Sequence, residues 1–384
     1  MSPVQSLKKI LLLLLGLLSL TTLIGCVTKS NRFGIVFIEI NNGATDIYRI
    51  PDNTPDKIEQ LTFTPTVGEG VLLVSKNGDK IILGTGPTEL SAKPSDLAVE
   101  ELHRIYFLDT PSKKLKDITD MFTSPPTITP PMQVADWSPD QKQFVFITYE
   151  TGLGIMDFDG TNRKDVSIPS LGEIPNIKHI KWSPNGKKLA LTRGVVGIDQ
   201  QLQNPGDALL VYDLESEKLT QLADYETNCF SSPVWSPTSQ QIAATCSYIL
   251  PYTESPAPDT IRIFSTENPG QPYERLLLSP CKDPSWSPDG KQLAFVCDKG
   301  ADQAGLFIIN SDGNGIHEVK LGDLENPAVL KDPIWSPDGT QIIYVAGADS
   351  GHTNIYSIHP DGSNNHPLTN QEAFYSIVSV YPIP

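Results

Sequence analysis

Three aspartates and one histidine of this sequence are placed where they could share one chemical task. Asp136 comes one residue before a tryptophan, and Asp283, Asp332 and His179 each come three residues before one. Carboxylates and imidazoles transfer protons and bind cations or polar ligands. If the segments that carry them surround a common axis, these side chains lie at the mouth of a central channel. Solvated carboxylates without a catalytic task are the alternative interpretation.

Motifs that would carry enzyme or metal chemistry are missing from the sequence. It contains no Gly-x-Ser-x-Gly nucleophile motif, no Cys-x-x-Cys pair and no His-x-x-x-His pair. A metal site would have to be assembled from distant histidines. We therefore predict no catalytic residue, no metal site and no cofactor.

A repeat organises most of the chain. Each tryptophan of the sequence precedes Ser-Pro, and successive tryptophans are separated by 45, 53, 51 and 49 residues. One strand carries each tryptophan, a short apolar strand starts about five residues after it, and two further strands follow before the next repeat. Four antiparallel strands per repeat are typical of one β-propeller blade, so the predicted fold class is all-β. The five repeats are marked by Trp137, Trp182, Trp235, Trp286 and Trp335.

Two weaker copies precede the five strong repeats. One has Val74 at the tryptophan position, and the other, which begins at residue 33, lacks a first strand. The chain ends with YSIVSVYPIP, a strand more than the last blade needs. We predict one seven-bladed propeller over residues 33–384, closed by the C-terminal strand pairing into blade one. Six blades are the alternative, if the Val74 copy is not a blade.

The Trp-Ser-Pro-Asp-Gly stretch predicts a hairpin turn rather than an active site. Proline presets φ at the first central position, and glycine adopts the left-handed conformation that lets the strands pair again. Gln141 and Ser239 replace this glycine in blades three and five, so we predict positive φ at both. The tryptophan before each turn offers a large rigid surface, which suits packing between neighbouring blades.

Four cysteines surround two of these turns symmetrically. Cys229 and Cys246 flank the turn of blade five, and Cys281 and Cys297 flank that of blade six. We predict the disulfides Cys229–Cys246 and Cys281–Cys297. Two other pairings, free thiols and a metal site remain open.

The long connections of the predicted blades vary in length and share one face of the disc. Loops on a rigid scaffold commonly carry binding surfaces. Aromatic side chains in the loops of blade five are candidate anchors for a peptide or sugar, and ordinary loop packing is the alternative. These candidates are Tyr225, Phe230, Tyr248 and Tyr252.

The N-terminus has the pattern of an export signal. Lys8 and Lys9 precede an apolar run that ends in Leu-Ile-Gly-Cys, which resembles a bacterial lipobox with Cys26 as the acylated residue. We predict a signal peptide over 1–25 and a lipidated tether over 26–32. Removal of the two lysines changes the formal charge from −16 to −18. Such a charge disfavours nucleic acid as a partner.

The repeat resembles that of TolB-type β-propellers, a relative of WD repeats. The resemblance is carried by W-S-P-D-G-K, a following apolar strand, a later D-G turn and a closing L-T. It implies a β-propeller fold. Together with the lipobox, we expect a monomeric propeller in the cell envelope, attached by lipid to the cell membrane or outer membrane and facing the periplasm or exterior. We expect non-catalytic binding of an envelope protein, peptide or glycan. The alternative is an enzyme, a polysaccharide lyase or glycosidase with channel carboxylates.

Overall fold

Short antiparallel strands recur along the chain in groups of four. The structure, a computed structural model, describes residues 32–41, 44–55, 57–62, 68–86, 104–119, 134–148, 152–171, 176–194, 207–224, 227–247, 259–269, 280–301, 303–324, 327–347, 352–370 and 373–383. Residues Arg32–Ile383 form one compact unit. Within the described ranges, no helix is long and apolar enough to cross a membrane.

The strands form seven blades arranged in a ring, which confirms the predicted fold and blade number. Blade one contains β1 (Phe33–Asn41), β2 (Ala44–Ile50) and β3 (Glu59–Gln60). Blade two contains β4 (Gly68–Val74), β5 (Lys80–Gly86), β6 (Arg104–Asp109) and β7 (Lys114–Asp117). Blade three contains β8 (Val134–Trp137), β9 (Gln143–Thr148), β10 (Gly152–Asp157) and β11 (Lys164–Ser167).

The remaining blades follow the same order. Blade four contains β12 (Ile177–Trp182), β13 (Lys188–Gly194), β14 (Asp207–Asp213) and β15 (Leu219–Ala223). In blade five, the described strands are β16 (Val234–Trp235), β17 (Gln241–Cys246) and β18 (Thr260–Ser265). Blade six contains β19 (Cys281–Trp286), β20 (Gln292–Gly300), β21 (Gln303–Asn310) and β22 (His317–Glu318). Blade seven contains β23 (Val329–Trp335), β24 (Ile342–Gly347), β25 (Asn354–Ile358) and β26 (His366–Pro367).

The last strand closes the ring. β27 (Phe374–Pro382) pairs antiparallel with β1, from Phe33 opposite Pro382 to Ile40 opposite Phe374. Blade one therefore takes its first strand from the C-terminal end of the chain, as predicted. This pairing gives β1 a partner along an edge that would otherwise be open.

The hydrophobic core is divided among the contacts between blades. Seven apolar clusters occur in the described residues, and each joins two neighbouring blades. Trp182, for example, packs with Val145 and Leu153 of blade three. The five tryptophans are only 5% to 8% exposed. They occupy the space between blades, the role that their recurrence indicated.

Two of the tryptophans also form hydrogen bonds to the preceding blade. The indole N–H of Trp235 donates to the backbone oxygen of Lys181 at 2.9 Å. That of Trp286 donates to the oxygen of Val234 at 3.1 Å. A buried indole N–H usually requires such an acceptor, so these bonds add orientation to the apolar packing.

Blade two lacks a tryptophan, and the closing strand compensates for it. Tyr381 of β27 is 5% exposed and packs with Ile81 and Leu83 of blade two, beside the partly buried Val74. Its ring covers Gly34 and Gly78 so closely that a Cβ at either glycine would collide with it. Ring closure and filling of the first interface thus depend on the same strand.

The repeated turns contact each other around one face of the ring. Gln141 and Ser239 have φ of 61° and 62°, which confirms the predicted left-handed conformation. Both side chains reach the turn of the preceding blade: the Lys76 N–H donates to Gln141 Oε1 at 2.7 Å, and the Asn185 N–H donates to Ser239 Oγ at 3.0 Å. Hydrogen bonds between blades therefore accompany the residues that replace glycine.

Both predicted disulfides are present. Cys281 lies directly opposite Cys297 in the pairing of β19 with β20. Cys229 and Cys246 join the segment before β16 to the end of β17. Each bridge therefore ties the start of the first strand of a blade to the end of its second strand.

Replacing Tyr381 with alanine tests the role of the closing strand. Because the side chain is buried at the interface of blades one and two, we expect Tyr381→Ala to lower the free energy of unfolding by about 3 kcal/mol or more. Urea denaturation followed by tryptophan fluorescence measures the change. Leu115→Ala, at a side chain that is 52% exposed, is the control and should change stability by less than about 0.5 kcal/mol. Equal effects of the two substitutions would contradict this account of closure.

Candidate functional site

The two faces of the ring carry different parts of each blade. In an antiparallel blade, the first and third strands begin at the face where the second strand ends. We call this the loop face, and the opposite one, which carries the short repeated turns, the turn face. Four long connections start and end at the loop face, since the described strands that flank them end and begin there. They are the connections between β5 and β6, β7 and β8, β13 and β14, and β17 and β18.

Asp136 lies on the first strand of blade three and links it to blade four. The backbone N–H of Trp182 donates to Asp136 Oδ2 at 2.7 Å, and Lys181 Nζ lies 3.7 Å from Oδ1. Burial raises the pKa of this carboxyl, and the Lys181 charge opposes the shift. The carboxylate is therefore engaged in holding two blades together.

Asp283 and Asp332 occupy equivalent positions in blades six and seven. Each sits at a β-bulge of its first strand with positive φ, 55° for Asp283 and 53° for Asp332. Burial raises the pKa of Asp283, and the negative charge of Asp332 raises it further. The Ser376 hydroxyl donates to Asp332 Oδ2 at 2.9 Å, which links blade seven to the closing strand. Two neighbouring carboxyl groups thus lie in this part of the ring.

His179 has the same position relative to its tryptophan in blade four. Its Nδ1 lies 2.8 Å from Thr192 Oγ1. Burial lowers the pKa of His179, and the charge of Asp207 opposes the shift. Asp207 itself forms an ion pair with Lys178, whose Nζ lies 2.7 Å from Asp207 Oδ1. Asp136 and His179 thus have local partners of their own. A common ligand for all four predicted channel residues remains a prediction.

Lys331 adds a cation beside the two carboxyl groups. Its Nζ lies 3.9 Å from the centroid of the Phe374 ring and 3.9 Å from Asp332 Oδ2, and the side chain is 19% exposed. Burial lowers the pKa of Lys331, while Asp332 and Asp283 act in the opposite direction. The ammonium group is thus held between an aromatic face and a carboxylate.

A cleft of about 450 Å³ opens beside this group, among blades five, six and seven. It lies at the loop face, since Asp259, Cys281 and Val329 stand at or just before the starts of β18, β19 and β23. Its apolar lining includes Val296 and Leu330, and its charged lining includes Asp298. The full set is Asp259, Pro280, Cys281, Lys282, Val296, Asp298, Gln303, Ala304, Ala328, Val329, Leu330 and Lys331.

The charges of the cleft differ in how they are satisfied. Asp298 Oδ1 accepts the backbone N–H of Gly300 at 2.7 Å. Burial raises the pKa of Asp259, and the charge of Lys282 opposes this shift. Within the described ranges, neither Asp259 nor Lys282 has a side-chain hydrogen bond or ion pair. In the same ranges, no group of three or more His, Cys, Asp and Glu side chains is arranged to hold a metal ion.

One of the four predicted aromatic anchors can be placed. Phe230 precedes β16 at the loop face and is 37% exposed, next to the buried Cys229 of the first disulfide. Tyr225, Tyr248 and Tyr252 lie outside the described residues. Their role as anchors stays a prediction.

Sequence reasoning missed the lysines and Asp259 of the cleft. A signal was available, because Lys-Asp-Pro recurs as Lys282–Pro284 and Lys331–Pro333, four residues before a tryptophan in both blades. The recurrence places one lysine and one aspartate at the start of neighbouring first strands. Asp259 had no comparable signal, since it reaches the cleft from the third strand of another blade.

Comparison with known proteins supports the architecture. No protein-family model matches the sequence, and no curated protein is significantly similar to it. Oligogalacturonate lyase from Vibrio parahaemolyticus is similar in structure, with 12% identity, a TM-score of 0.56 and coverage of 88% of this chain and 85% of the lyase. The β-propeller domain of the trilobed protease from Pyrococcus furiosus shares 15% identity, a TM-score of 0.52 and coverage of 80% and 84%.

TolB from Acinetobacter baumannii is a further match, with 14% identity, a TM-score of 0.47 and coverage of 88% of this chain and 79% of TolB. In fold, the chain is a seven-bladed β-propeller. The repeat motif and the seven closed blades agree on this point. At such low identities, the likenesses show the fold alone, and the function has to be argued from the site.

Asp283 and Asp289 of blade six have pKa shifts in opposite directions, which allows a matched test. A raised pKa means that Asp283 favours the folded state below its ordinary pKa of about 4, and that this contribution is lost as pH rises through the raised value. As pH rises from 4 to 8, the free energy of unfolding of Asp283→Asn should therefore increase relative to that of the unsubstituted chain. Urea denaturation measures this difference. The groups around it, Asp332, Lys282 and Lys331, stay unchanged.

Asp289, in the turn of the same blade, provides the matched control. The Ser287 hydroxyl donates to its Oδ1 at 2.7 Å and lowers its pKa. The Asp289 carboxylate stabilises the folded state above about pH 4, and this contribution is lost as pH falls. The free energy of unfolding of Asp289→Asn should therefore decrease, relative to that of the unsubstituted chain, as pH rises. If both variants change in the same direction with pH, the environment assigned to Asp283 is wrong.

Proposed function

We propose that this chain is a lipid-anchored binding protein of the bacterial cell envelope that receives a protein, peptide or glycan on its loop face. Residues 1–25 serve as a signal peptide, Cys26 carries the lipid, residues 26–32 act as a tether and the propeller starts at residue 33. The two disulfides support an oxidising location. The proposal includes no catalytic step.

The arrangement of the blades carries this proposal. One rigid face holds the ends of all four long connections, the exposed Phe230 and the charged cleft. The opposite face consists of short turns that contact one another, such as Gln141 with Lys76. A rigid scaffold with variable loops on one side is the usual design of a binding surface.

Photocrosslinking at matched positions tests where the partner binds. Phe230 on the loop face is 37% exposed, and Phe158, in the turn between β10 and β11 on the turn face, is 39% exposed. We expect a photoreactive phenylalanine analogue at position 230 to capture a partner in intact cells, and the same analogue at position 158 to capture none. Tyr248→Ala and Tyr252→Ala should reduce the yield at position 230.

Equal capture at both positions, or capture at position 158 alone, would contradict the assignment of the loop face. Mass spectrometry of the crosslinked product identifies the partner. The two positions are matched in exposure, because both phenylalanines are nearly equally accessible.

Substitution of Cys26 tests the anchor separately. The thiol of this residue is the acyl acceptor in the proposed processing. Cys26→Ser should abolish incorporation of labelled palmitate, leave the signal peptide uncleaved and change the mass of the chain accordingly, as seen by gel mobility and mass spectrometry. Cys246→Ser is the control at a cysteine outside the proposed tether and should still be labelled. Labelling of the Cys26→Ser chain would contradict lipidation at this position.

One observation favours an enzyme as the second candidate. Asp283 and Asp332 are neighbouring carboxyl groups, and the raised pKa of Asp283 beside Asp332 is what a general acid requires. A polysaccharide lyase or glycosidase would therefore place its reaction next to these residues. Release of unsaturated or reducing sugar ends that disappears in Asp283→Asn would favour this candidate over the binding protein.

A further inference from the structure

Among the described residues that line the cleft of blades five, six and seven, acidic and basic side chains are equal in number. They are Asp259 and Asp298, and Lys282 and Lys331, although the whole chain has a formal charge of −16. A site for a plain cation would be lined by excess carboxylates, and a site for an anion by excess lysines. The balance therefore favours a ligand that carries both charges and has no net charge.

Two of these four charged groups are already occupied by the protein. The Asp298 carboxylate caps the Gly300 N–H, and the Lys331 ammonium lies between the Phe374 ring and Asp332. Asp259 and Lys282 remain without a partner in the described part of the chain, and the charge of Lys282 still acts on Asp259. Asp259 is half-buried at the cleft, so its carboxylate oxygens are open to a hydrogen-bond donor of a ligand.

The positions of these two groups set the spacing of the charges on the ligand. The Cys281 N–H donates to the Asp259 backbone oxygen at 2.8 Å, and Lys282 follows Cys281 directly. The two side chains therefore start from neighbouring points on two blades, yet their charged ends are not in contact. A ligand whose ammonium and carboxylate sit on one carbon matches neighbouring groups of this kind better than one with charges at the ends of a chain.

The apolar lining of the cleft indicates the chemical nature of the rest of the ligand. Pro280, Val296, Val329 and Leu330 line the space beside the charges. The volume of about 450 Å³ lies within the range of small-molecule sites and exceeds what a bare zwitterion fills. Room therefore remains for an apolar side chain.

From these observations we propose that the cleft binds a free α-amino acid with an apolar side chain. The Asp259 carboxylate accepts hydrogen bonds from the α-ammonium group, Lys282 binds the α-carboxylate, and the side chain packs on the apolar lining. This goes beyond the proposed envelope partner, since it concerns a small ligand in a defined cleft and does not depend on lipidation or on capture of a macromolecule.

Calorimetric titration of the full chain in detergent with L-leucine, N-acetyl-L-leucine and L-leucinamide tests the proposal. Each blocked form lacks one charge, so each should bind about tenfold more weakly than L-leucine or worse. Asp259→Asn should remove the preference for L-leucine over N-acetyl-L-leucine and keep the preference over L-leucinamide. Lys282→Met should show the reverse pattern.

Lys291→Met is the matched control, because Lys291 lies in the turn of the same blade, is 81% exposed and faces away from the cleft. It should bind L-leucine as the unsubstituted chain does. Thermal unfolding of each variant verifies that it is folded. The proposal is overturned if L-leucine does not bind, if the blocked forms bind equally well, or if Asp259→Asn and Lys282→Met leave both preferences unchanged. Photocrosslinking at position 230 is independent of all three results.

Discussion

Contact between the apolar faces of neighbouring blades is the interaction on which the whole structure depends. A four-stranded sheet of this size has two apolar faces and cannot bury either of them alone. The seven apolar clusters of the described residues all lie between blades, so every blade is stable only through its neighbours. A linear stack would leave two faces in water. The pairing of β27 with β1 removes both, and Tyr381 on that strand fills the interface where the repeat lacks its tryptophan.

Packing between blades also explains the roles of several polar side chains near the first strands and turns. Apolar packing alone does not set the angle between blades, whereas hydrogen bonds between defined atoms do. Asp136 bonds to the backbone of blade four, Asp332 to Ser376 of the closing strand, and Gln141 to the turn of blade two. Residues that resemble catalytic groups in the sequence thus serve first to connect blades. The bulges at Asp283 and Asp332 have a further effect, because they bring two carboxyl groups and Lys331 together beside an open cleft.

The division of the ring into two faces connects architecture with function. Short turns that touch each other leave the turn face little freedom to vary, whereas the connections at the loop face can change in length without disturbing the blades. The disulfide Cys281–Cys297 stabilises the lining of the cleft, since it joins β19 and β20, which both contribute lining residues. The likeness in fold to a lyase and to a protease domain leaves the function to the side chains at this face.

The sequence by itself determined the repeated blades and turns, and it predicted the positive φ of Gln141 and Ser239, the ring closure and the favoured pairing of the cysteines. These features are local or repeat with the blade, so each copy supports the interpretation of the others. The sequence also marked Asp283 and Asp332, but it could not separate them from Asp136, whose carboxylate is engaged with blade four. Only the tertiary structure brought Asp259, Lys282 and Lys331 into one cleft, because they come from three blades and their neighbourhood follows from the packing of those blades around the ring.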